Sequence, residues 1–294
     1  MKYVIDVHTH SDHSDGDYSP RIVARKAKKA GMRAVVLADH NTVEGYAEFS
    51  RECRILGMDT FMGIEVSTKV QGIEMHILGF SRRFNVKILR KGLQKNIKSY
   101  DERMKKVLSL LRSAGETELS FGEIRKSKPR YDPITKYDVA KAMRAERKVG
   151  IAQQRDIQHL MNRGGIAFVP YGDVLTAQEV CRLIADSGGI SVMAHPGQFL
   201  RKYSKKKSDG AVYMPKLIKK FIGWGLSGIE CHTPEHSPRE ERAFVSMARK
   251  HKLIITGGTD WHGDIHHPER VFGASGSTVS EYEILKIRLE TVRK

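Results

Sequence analysis

The sequence predicts an α/β fold with parallel strands, interrupted by an insertion that is entirely α-helical. Short, nearly continuous apolar segments alternate with amphipathic helical segments in residues 1–84 and again in residues 176–294. This alternation is typical of parallel strands covered by helices. Residues 85–175 are instead helical in pattern and strongly basic, which predicts a separate insertion.

The first half of the chain contains predicted strands whose apolar parts are followed by polar residues. These strands cover residues 3–8, 33–41, 59–68 and 74–80. Ser19 and Pro20 predict the start of a helix, as its N-cap and its first residue, and Gly31 predicts its end. A second helix is predicted over residues 43–56.

The same rhythm returns in the second half of the chain. Strands are predicted over residues 188–196, 225–236 and 252–263. Helices between them are predicted over residues 214–225 and 237–252. The basic stretch RKYSKKKSDG, residues 201–210, is interpreted as a loop. Within the insertion, helical segments are predicted over residues 85–115, 132–150 and 151–165.

Composition predicts a folded protein with an affinity for phosphate. The 294 residues are 40% hydrophobic and 29% charged, so the chain can bury a large core and differs from disordered proteins. The net charge of +17 attracts polyanions and phosphorylated small molecules. A solvated lysine-rich surface would give the same charge balance.

Cysteine use and hydropathy predict a cytoplasmic protein. Cys53, Cys181 and Cys231 are widely spaced and form no CxxC pair, so we expect no disulfide framework. The first strand is predicted to begin near Tyr3, and we expect no signal peptide. No apolar run approaches the roughly 20 residues of a membrane-spanning helix, so we expect no membrane partner.

Groups that bind divalent metals follow almost every predicted strand. They are His8, His10, Asp12, His13, Asp15, Asp17, Asp39, His40, Glu65, His76, His195, Glu230, His232, His236, Asp260 and His262. Because the carboxyl ends of barrel strands meet at one face, we expect many of these side chains to converge. Buried carboxylates and imidazoles at this density are unfavourable unless cations compensate them. The sequence therefore predicts a metal cluster.

Spacing distinguishes the stronger candidates. His8 and His10 are two residues apart on a strand and would point to one face, as two ligands of one ion require. Asp260 and His262 have the same spacing. His195 precedes a proline, which favours an extended backbone. Nine other residues are interpreted as ordinary polar residues, namely Asp12, His13, Asp17, Asp39, His159, His232, His251, His266 and His267.

Six short motifs resemble those of one enzyme superfamily. The chain contains, in this order, DVHTHSDHSDG, LADHNTVEG, GIEVST, MHILGF, VMAHP and TGGTDWHG. Together they resemble the PHP (polymerase and histidinol phosphatase) superfamily along nearly the full length, apart from the insertion. The chain most resembles the stand-alone phosphoesterases that act on nucleotides and short RNA, which also carry a helical insertion between the histidines of HILGF and AHP.

The resemblance implies a distorted (β/α)7 barrel formed by residues 1–84 and 176–294, with residues 85–175 as a helical lid. It also implies two or three divalent ions, Mn²⁺, Zn²⁺ or Fe²⁺, at the carboxyl ends of the strands. Carried over by motif, the ligands are His8, His10, Glu65 and Asp260 for the first ion, Glu65, His76 and His195 for the second, and Asp15, His40 and His262 for the third.

The insertion departs from the family pattern. The stretches ITKYDVAKAM and NRGGIAFVPYGD stand where the nucleotide-acting members usually have an Arg-Pro-His-like element and a Tyr-Leu-Gly stretch. Lys136, Arg130 and Arg144 are candidate phosphate contacts, with solvated surface cations as the alternative. The segment ECHTPEHS resembles the family's Glu-x-x-x-Pro-x-His, so His236 is a candidate phosphate contact or proton donor. His195 is a second candidate proton donor.

The predicted function is hydrolysis of nucleotide phosphate esters by in-line attack of a metal-bridging hydroxide. The expected forms are 3′-phosphate release from nucleoside 3′,5′-bisphosphates and 5′-to-3′ exoribonuclease action on short RNA. Two alternatives stay open: a phosphatase for histidinol phosphate or another small phosphomonoester, and an RNA-binding module with a structural metal site. The sequence contains no RNP-like, zinc-finger or helix-turn-helix signature, which argues against the binding module.

Overall fold

The framework of the protein is a set of short strands that pair into sheets. A computed structural model describes residues 3–206, 210–265 and 267–292, with the side chains of residues 151 and 152 left aside. Within these residues the strands are β1 (Ile5–Thr9), β2 (Ala34–Leu37), β3 (Met62–Val70), β4 (Ile73–Ser81), β5 (Ile190–Met193), β6 (Leu226–His232) and β7 (Ile254–Gly257). Each overlaps a predicted strand, although β2, β5, β6 and β7 end earlier than expected.

Helices follow or precede most of these strands. In the described residues they are α1 (Pro20–Lys29), α2 (Tyr46–Ile55), α3 (Val86–Ser113), α4 (Phe121–Lys126), α5 (Lys136–Arg147), α6 (Ile151–His159), α7 (Ala177–Asp186), α8 (Pro196–Lys206), α9 (Gly210–Ile222), α10 (Pro238–Lys250) and α11 (Val279–Thr291). The predicted start of the first helix is confirmed, because Ser19 is the N-cap and Pro20 the first residue of α1. The mixed α/β class is therefore confirmed.

The strands pair in two sheets of the described chain, β1–β2 and β3–β4–β5–β6–β7. The pairs β1–β2, β5–β6 and β6–β7 are parallel, as predicted. Isolated parallel bridges link Thr9 to Trp261 and His40 to Glu65. These bridges bring β2 beside β3, and they bring β1 beside the segment that follows β7.

Parallel pairing was the wrong prediction for β3, β4 and β5. The pairs β3–β4 and β4–β5 are antiparallel. Only Gln71 and Gly72 separate β3 from β4, with φ angles of 51° and 77°. Positive φ at both central residues closes a tight hairpin, so the chain reverses without the helical crossover that a parallel pair needs.

The segment at residues 201–210 was wrongly predicted to be a loop. Helix α8 continues to Lys206 and α9 starts at Gly210, while residues 207–209 lie outside the described chain. Phe199 and Tyr203, four residues apart, are buried on one face of α8, and such a pair stabilises a helix against the core. The exposed residues Arg201, Lys202, Lys205 and Lys206 concealed the helical pattern.

Apolar side chains fill both faces of the larger sheet. Ile77 of β4 belongs to a cluster that joins the sheet to α3, α7, α8, α9 and α10. Leu78 and Phe80 point to the opposite face, into a second cluster that joins five strands to Leu285 and Leu289 of α11. Each such fully buried side chain contributes roughly 1.5–3 kcal/mol, so the strands are held firmly beneath the loops that follow them.

The described residues between β4 and α7 form helices α3 to α6 and their connections. Leu89, Leu93 and Ile97, in the first half of α3, pack into the sheet cluster. From Met104 onward, α3 packs with α4, α5 and α6 in a separate apolar cluster. Helix α3 therefore contributes side chains to both apolar clusters. The domain boundaries at residues 84/85 and 175/176 stay a prediction.

Two further properties concern the whole described chain. None of its helices combines the length and the apolar character needed to cross a membrane.

Cys53, Cys181 and Cys231 are buried free thiols, and burial raises the pKa of the Cys53 thiol to about 12.

A buried amide ties α3 to the strands. Asn96 is fully buried, and its Nδ2 donates to Asn41 Oδ1 and to the Ser67 carbonyl oxygen, both at 2.7 Å. Its Oδ1 accepts from the Leu175 backbone N–H at 2.8 Å. Asn41 directly follows His40 and has a φ of 56°, so this amide supports a loop in a left-handed conformation.

Replacing this amide tests the strength of the attachment. Asn96→Ala should leave several buried polar groups without partners, at roughly 1–3 kcal/mol each. We expect the free energy of unfolding, measured by urea denaturation, to fall by about 3 kcal/mol or more. Gln94→Ala, on the exposed side of the same helix, should change it by less than about 0.5 kcal/mol. Equal urea midpoints for the two variants would contradict the assignment.

His232 joins β6 to α10 and α11. Its Nδ1 lies 2.9 Å from Glu241 Oε1, and its Nε2 lies 3.1 Å from Glu281 Oε1. Only a doubly protonated imidazole donates from both nitrogens. Burial lowers the pKa of His232, but the Glu281 and Glu241 carboxylates outweigh burial and raise that pKa above its ordinary value.

This pairing makes stability depend on pH. Because the folded-state pKa is raised, the contribution is fully present below the unfolded pKa of about 6.5 and is lost as pH rises through the folded pKa. His232→Gln should therefore lower the urea midpoint more at pH 6 than at pH 9. His159→Gln, at the exposed end of α6, serves as control. A loss for His232→Gln that is the same at both pH values would refute the ionic pairing.

Candidate metal centre

The carboxylate of Glu65, on β3, lies at the centre of a buried histidine cluster. Its Oε2 lies 3.2 Å from His8 Nε2, 3.3 Å from His10 Nε2 and 3.2 Å from His40 Nδ1. Its Oε1 lies on the other side of the group and contacts two further imidazoles. These are His76 Nδ1 at 3.0 Å and His195 Nε2 at 2.8 Å.

Asp260 completes the deepest group. Its Oδ1 lies 3.3 Å from His8 Nε2 and 3.0 Å from His10 Nε2. One donor atom from each of His8, His10, Glu65 and Asp260 lies within 4.8 Å of the other three. The expected proximity of His8 and His10 is confirmed, since their ring centroids are 5.1 Å apart.

A second group lies beside it, toward the loop after β1. Asp15 Oδ1 lies 3.4 Å from His262 Nε2 and 3.6 Å from His10 Nδ1, and Asp15 Oδ2 lies 3.7 Å from His40 Nε2. The rings of His10 and His262 stack at 4.1 Å. His10 therefore lies between the first and second groups, which the sequence did not predict.

A third group forms around Glu65 Oε1. His40, Glu65 and His76 offer donor atoms within 4.8 Å of one another, and His195 contacts the same oxygen of Glu65 as His76 does. The structure thus brings together all the residues predicted as ligands, which are His8, His10, Asp15, His40, Glu65, His76, His195, Asp260 and His262.

Buried atoms without partners indicate that this arrangement suits divalent ions. Within the described chain, His8 Nε2, His10 Nε2, His40 Nδ1, Glu65 Oε2 and Asp260 Oδ1 are buried and make no hydrogen bond. Metal–ligand bonds of about 2.0–2.2 Å place neighbouring donor atoms roughly 3.0–3.5 Å apart, close to the separations found here. Orphaned buried polar atoms are costly, so a shared cation accounts for their convergence.

The electrostatics of the cluster supports the same conclusion. Burial alone lowers the pKa of His10, but the adjacent carboxylates of Asp260, Glu65 and Asp15 outweigh it and raise that pKa to about 9. Burial raises the pKa of Asp15, but the nearby His262 and His40 bring it well below its usual range. Protons on imidazoles therefore balance the buried carboxylates, and bound cations would displace them.

Two cluster residues adopt a left-handed backbone. His195 has a φ of 25° and Asp260 a φ of 52°. The extended conformation predicted for His195, and the strand position predicted for Asp260, are therefore wrong. Strands β5 and β7 end at Met193 and Gly257, and the chain turns sharply beyond each end to direct these side chains inward. Such conformations cost roughly 1–3 kcal/mol and are common at functional sites.

Carboxylates behind the cluster orient its imidazoles. Glu230, at the end of β6, is fully buried, lies 2.9 Å from His8 Nδ1 and accepts from the His195 backbone N–H at 2.7 Å. Glu74 lies 3.3 Å from His76 Nε2. Carboxylates in this position fix the ring orientation of metal-binding histidines. The strand-end pattern marked Glu230 but assigned it no role.

Arg270 was missed by the sequence analysis. Its Nη1 donates to Asp260 Oδ2 at 2.5 Å and to the Asp260 carbonyl oxygen at 2.6 Å, and its Nη2 donates to Glu235. It therefore occupies one oxygen of Asp260 and leaves Oδ1 directed at His8 and His10. Arg270 lies in a loop after Asp260, where no strand-end pattern could mark it.

The predicted proton donor His236 has both ring nitrogens in hydrogen bonds. Its Nδ1 donates to the Cys231 carbonyl oxygen at 2.8 Å, and its Nε2 accepts from the Gly197 N–H at 3.0 Å. Burial lowers the pKa of His236, which favours this neutral tautomer. The catalytic role of His236 stays a prediction, and this geometry favours instead a role in holding the turn that follows His195.

The predicted phosphate contacts lie in different surroundings. Lys136 is half-buried, and its Nζ donates to Asn162 Oδ1 at 2.8 Å. Burial lowers its pKa, while the Asp15 charge opposes that change. Arg130 is exposed, 5.6 Å from the Tyr131 ring, and Arg144 is half-buried in α5.

The residues interpreted as ordinary polar groups have other partners where partners are described. His13 Nδ1 lies 2.7 Å from Asp132 Oδ2, and His267 Nδ1 lies 2.9 Å from Glu269 Oε1. Asp39 accepts from the Ser11 backbone N–H at 2.7 Å. His266 lies outside the described residues.

Comparison with known proteins identifies similar sequences. The family model described as the PHP domain matches residues 6–152, half of the chain. The phosphoribosyl 1,2-cyclic phosphate 1,2-diphosphodiesterase of Eggerthella lenta is 28% identical over 88% of this chain and 94% of its own. The 5′-3′ exoribonuclease of Haemophilus influenzae is 27% identical over 87% and 89%. The 3′,5′-nucleoside bisphosphate phosphatase of Chromobacterium violaceum is 25% identical over 90% and 91%.

Two solved structures share the fold. A protein from Bifidobacterium adolescentis described as a metal-dependent phosphoesterase superposes with a TM-score of 0.78 at 21% identity, covering 97% of this chain and 96% of that one. An amidohydrolase from Chromobacterium violaceum, with bound sulfate and no metal, gives a TM-score of 0.76 at 23% identity, covering 97% of both chains.

Removing the central carboxylate tests whether the cluster binds metal. Glu65→Gln retains the shape of the side chain but loses its charge, so we expect Mn²⁺ affinity, measured by calorimetry on the metal-free protein, to fall at least about 100-fold. Glu290→Gln, on the exposed surface of α11, is the matched control and should bind Mn²⁺ as the wild type does. Unchanged affinity in Glu65→Gln would exclude Glu65 as a ligand.

Proposed function

The chain belongs to the PHP domain family and is a metal-dependent phosphoesterase, and from this premise we propose that it hydrolyses phosphate esters of nucleotides. The observation that carries the proposal is the convergence of five imidazoles on the buried carboxylate of Glu65, with unpartnered donor atoms on both sides of the contacts. Such a set of donor atoms can bind divalent cations. Two neighbouring cations can stabilise both the attacking and the leaving oxygen when a phosphate ester is hydrolysed.

We assign the ligands as the motifs imply. His8, His10, Glu65 and Asp260 would hold the first ion, and Glu65, His76 and His195 the second. Asp15, His40 and His262 would hold the third, with His10 adjacent to it. A mixed set of imidazole and carboxylate donors suits Mn²⁺, Zn²⁺ and Fe²⁺ alike.

The chain's own residues organise the reaction. When bound, the ions supply Lewis acidity, charge neutralisation and a lowered pKa for the attacking water. Glu230 holds the His8 ring and the His195 backbone in place, and Arg270 fixes Asp260. A nitrogen that binds an ion carries no proton, so His195 Nε2, the nitrogen that contacts Glu65, cannot serve both predicted roles at once. Its contact with Glu65 favours the ligand role, and the leaving oxygen would take its proton from solvent.

The substrate class follows from charge and from the relatives. The net charge of +17 favours phosphate-rich molecules. By their names, the three relatives act on a cyclic phosphoribosyl ester, on RNA and on a nucleoside bisphosphate. All three of these substrates contain a phosphorylated ribose. We therefore propose 3′-phosphate release from nucleoside 3′,5′-bisphosphates and 5′-to-3′ hydrolysis of short RNA. A cytoplasmic location stays a prediction.

We infer that the two sheets are arcs of one distorted seven-stranded barrel and that residues 85–175 form a lid on it. The Thr9–Trp261 and His40–Glu65 bridges support the barrel. The lid is supported by contacts between the insertion and the site loops. Asp132 accepts from Thr42 Oγ1 and contacts His13 Nδ1, both at 2.7 Å.

A substrate panel tests the proposed function. With Mn²⁺, we expect kcat/KM for 3′,5′-bisphosphoadenosine or a 5′-phosphorylated RNA hexamer to exceed that for histidinol phosphate or AMP by at least about 10-fold. Asp260→Asn should lower turnover more than about 100-fold, while Asp264→Asn, at a half-exposed side chain of the next loop, should not. Chelation should abolish activity, and Mn²⁺ should restore it.

The same panel separates the alternatives. Preference for histidinol phosphate would overturn the nucleotide assignment and support a small-phosphomonoester phosphatase. No turnover of any substrate, combined with tight and salt-dependent RNA binding, would support an RNA-binding module with a structural metal site.

A further inference from the structure

Helix α3 carries a line of lysines along one exposed face. These are Lys87, Lys91, Lys95, Lys98 and Lys106, all exposed, and the first four follow one another at intervals of four, four and three residues. Such intervals place side chains one above another on a helix. At 1.5 Å per residue the line is roughly 28 Å long. Glu102, between Lys98 and Lys106, is the acidic residue that interrupts it. We call these five residues the α3 lysine row.

The row borders a groove between α3 and residues 169–173. Lys95, Lys98 and Lys106 line one wall, and Pro170 and Gly172 line the other. Lys69 Nζ donates to the carbonyl oxygens of Tyr171 and Gly172 at 2.7 Å each, so the second wall is held in place by the β3 strand.

A continuous series of side-chain contacts leads from the floor of the groove toward the candidate metal centre. The guanidinium of Arg103 lies 4.1 Å from the Tyr171 ring centroid, and the Tyr171 and Tyr100 rings are 5.3 Å apart. The Tyr100 hydroxyl lies 2.8 Å from Ser67 Oγ. Ser67 is the hairpin partner of His76, whose imidazole contacts Glu65.

The buried side of α3 fixes the row relative to the cluster. Asn96, which follows Lys95, donates to Asn41 Oδ1 at 2.7 Å, and Asn41 follows His40. The part of the helix that carries Lys95 and Lys98 is therefore anchored to the loop of a predicted ligand. A polyanion lying along the row would reach the cluster in a fixed register.

The ion pairs of the row are easily exchanged for phosphate. Lys95 Nζ lies 3.1 Å from Asp173 Oδ2, and Lys98 Nζ lies 3.8 Å from Glu102 Oε1. All four side chains are exposed by about two-fifths or more, and exposed pairs of this kind contribute little to stability. Phosphates of a nucleic acid strand compete well for such lysines because counterions are released on binding.

We propose that the α3 lysine row binds the phosphodiester backbone of a single-stranded RNA whose terminal phosphate lies at the metal centre. The inference rests on the proposed function, and it deepens it by naming the surface that distinguishes RNA from a mononucleotide. Several phosphates spaced along an extended strand match a row of flexible point charges better than one compact bisphosphate does.

The test compares two variants of equal charge. The row variant carries Lys91→Gln, Lys95→Gln, Lys98→Gln and Lys106→Gln. The control variant carries Lys28→Gln, Lys29→Gln, Lys216→Gln and Lys219→Gln, at exposed positions of α1 and α9. Both variants lose four positive charges, so they differ only in the positions from which the charges are removed. Each is assayed with Mn²⁺ on 5′-phosphorylated RNA of two and of eight nucleotides and on 3′,5′-bisphosphoadenosine, at several salt concentrations.

For the row variant we expect kcat/KM on the octamer to fall at least about 10-fold, with a smaller loss on the dinucleotide and less than a two-fold change on the bisphosphate. The dependence of log(kcat/KM) on log[salt] for the octamer should flatten by about 0.7 per lost phosphate contact. The control variant should keep the wild-type salt dependence and lose less than two-fold on every substrate.

Other outcomes overturn the proposal. An equal loss in both variants would assign the effect to net charge, and an equal loss on all substrates would assign it to the metal centre. If the wild type hydrolyses the bisphosphate but neither cleaves nor binds the octamer, measured by fluorescence anisotropy, the row has no RNA role while the proposed function survives. If no substrate is hydrolysed and the octamer is bound equally by both variants, both proposals fail.

Discussion

The fold depends on one buried carboxylate surrounded by five imidazoles. Glu65 is fully buried, and a carboxylate in such a position is stable only if positive charge accompanies it. The nearby carboxylates raise the pKa values of His8, His10 and His76, so protons on these imidazoles can supply that charge, and bound divalent ions would replace them. The strands β1, β3 and β4 and the loops after β2, β5 and β7 all direct a side chain to this point. The order of the strands therefore places positively charged or metal-binding groups around the Glu65 carboxylate.

Meeting that requirement constrains the backbone as well as the side chains. His195 and Asp260 adopt left-handed conformations, and the groups behind the cluster oppose the strain. Asp6 shows how, because it accepts from the His8 and Thr259 backbone N–H groups, both at 3.1 Å. It thereby ties β1 to the chain just before Asp260, residues some 250 positions apart, and a hydrogen bond of this kind contributes about 1–3 kcal/mol when the acceptor is charged.

The sequence was most informative about the metal ligands, because histidines and carboxylates near the ends of predicted strands indicate a shared site. His8 fits this rule, because it lies near the end of β1, which is parallel to β2. Glu65 and His76 lie instead within β3 and β4, which pair antiparallel, so their motifs marked them as ligands although the strand-end rule does not explain their positions. Arg270 could not be recognised from the sequence, because its partner Asp260 is reached through an irregular loop that has no periodicity. The antiparallel β3–β4 pair was missed because Gln71 lacks the usual turn signature, although Gly72 has it. Helix α8 was missed because its charge concealed a two-residue apolar anchor.

Helix α3 shows how such an enzyme can change substrate without changing chemistry. Its buried face is fixed by the strands, since Leu89 and Leu93 pack in the sheet cluster and Asn96 bonds to the His40 loop. Substitution there would disturb the cluster itself. The exposed face of α3 makes no such contacts with the strands, so its lysines can be substituted without disturbing the packing of the helix. Helix α3 thus joins a constrained surface to an unconstrained one. If the α3 lysine row binds RNA as proposed, a charge change on the outer face would alter which substrates reach the metal centre, while the geometry around Glu65 stays the same.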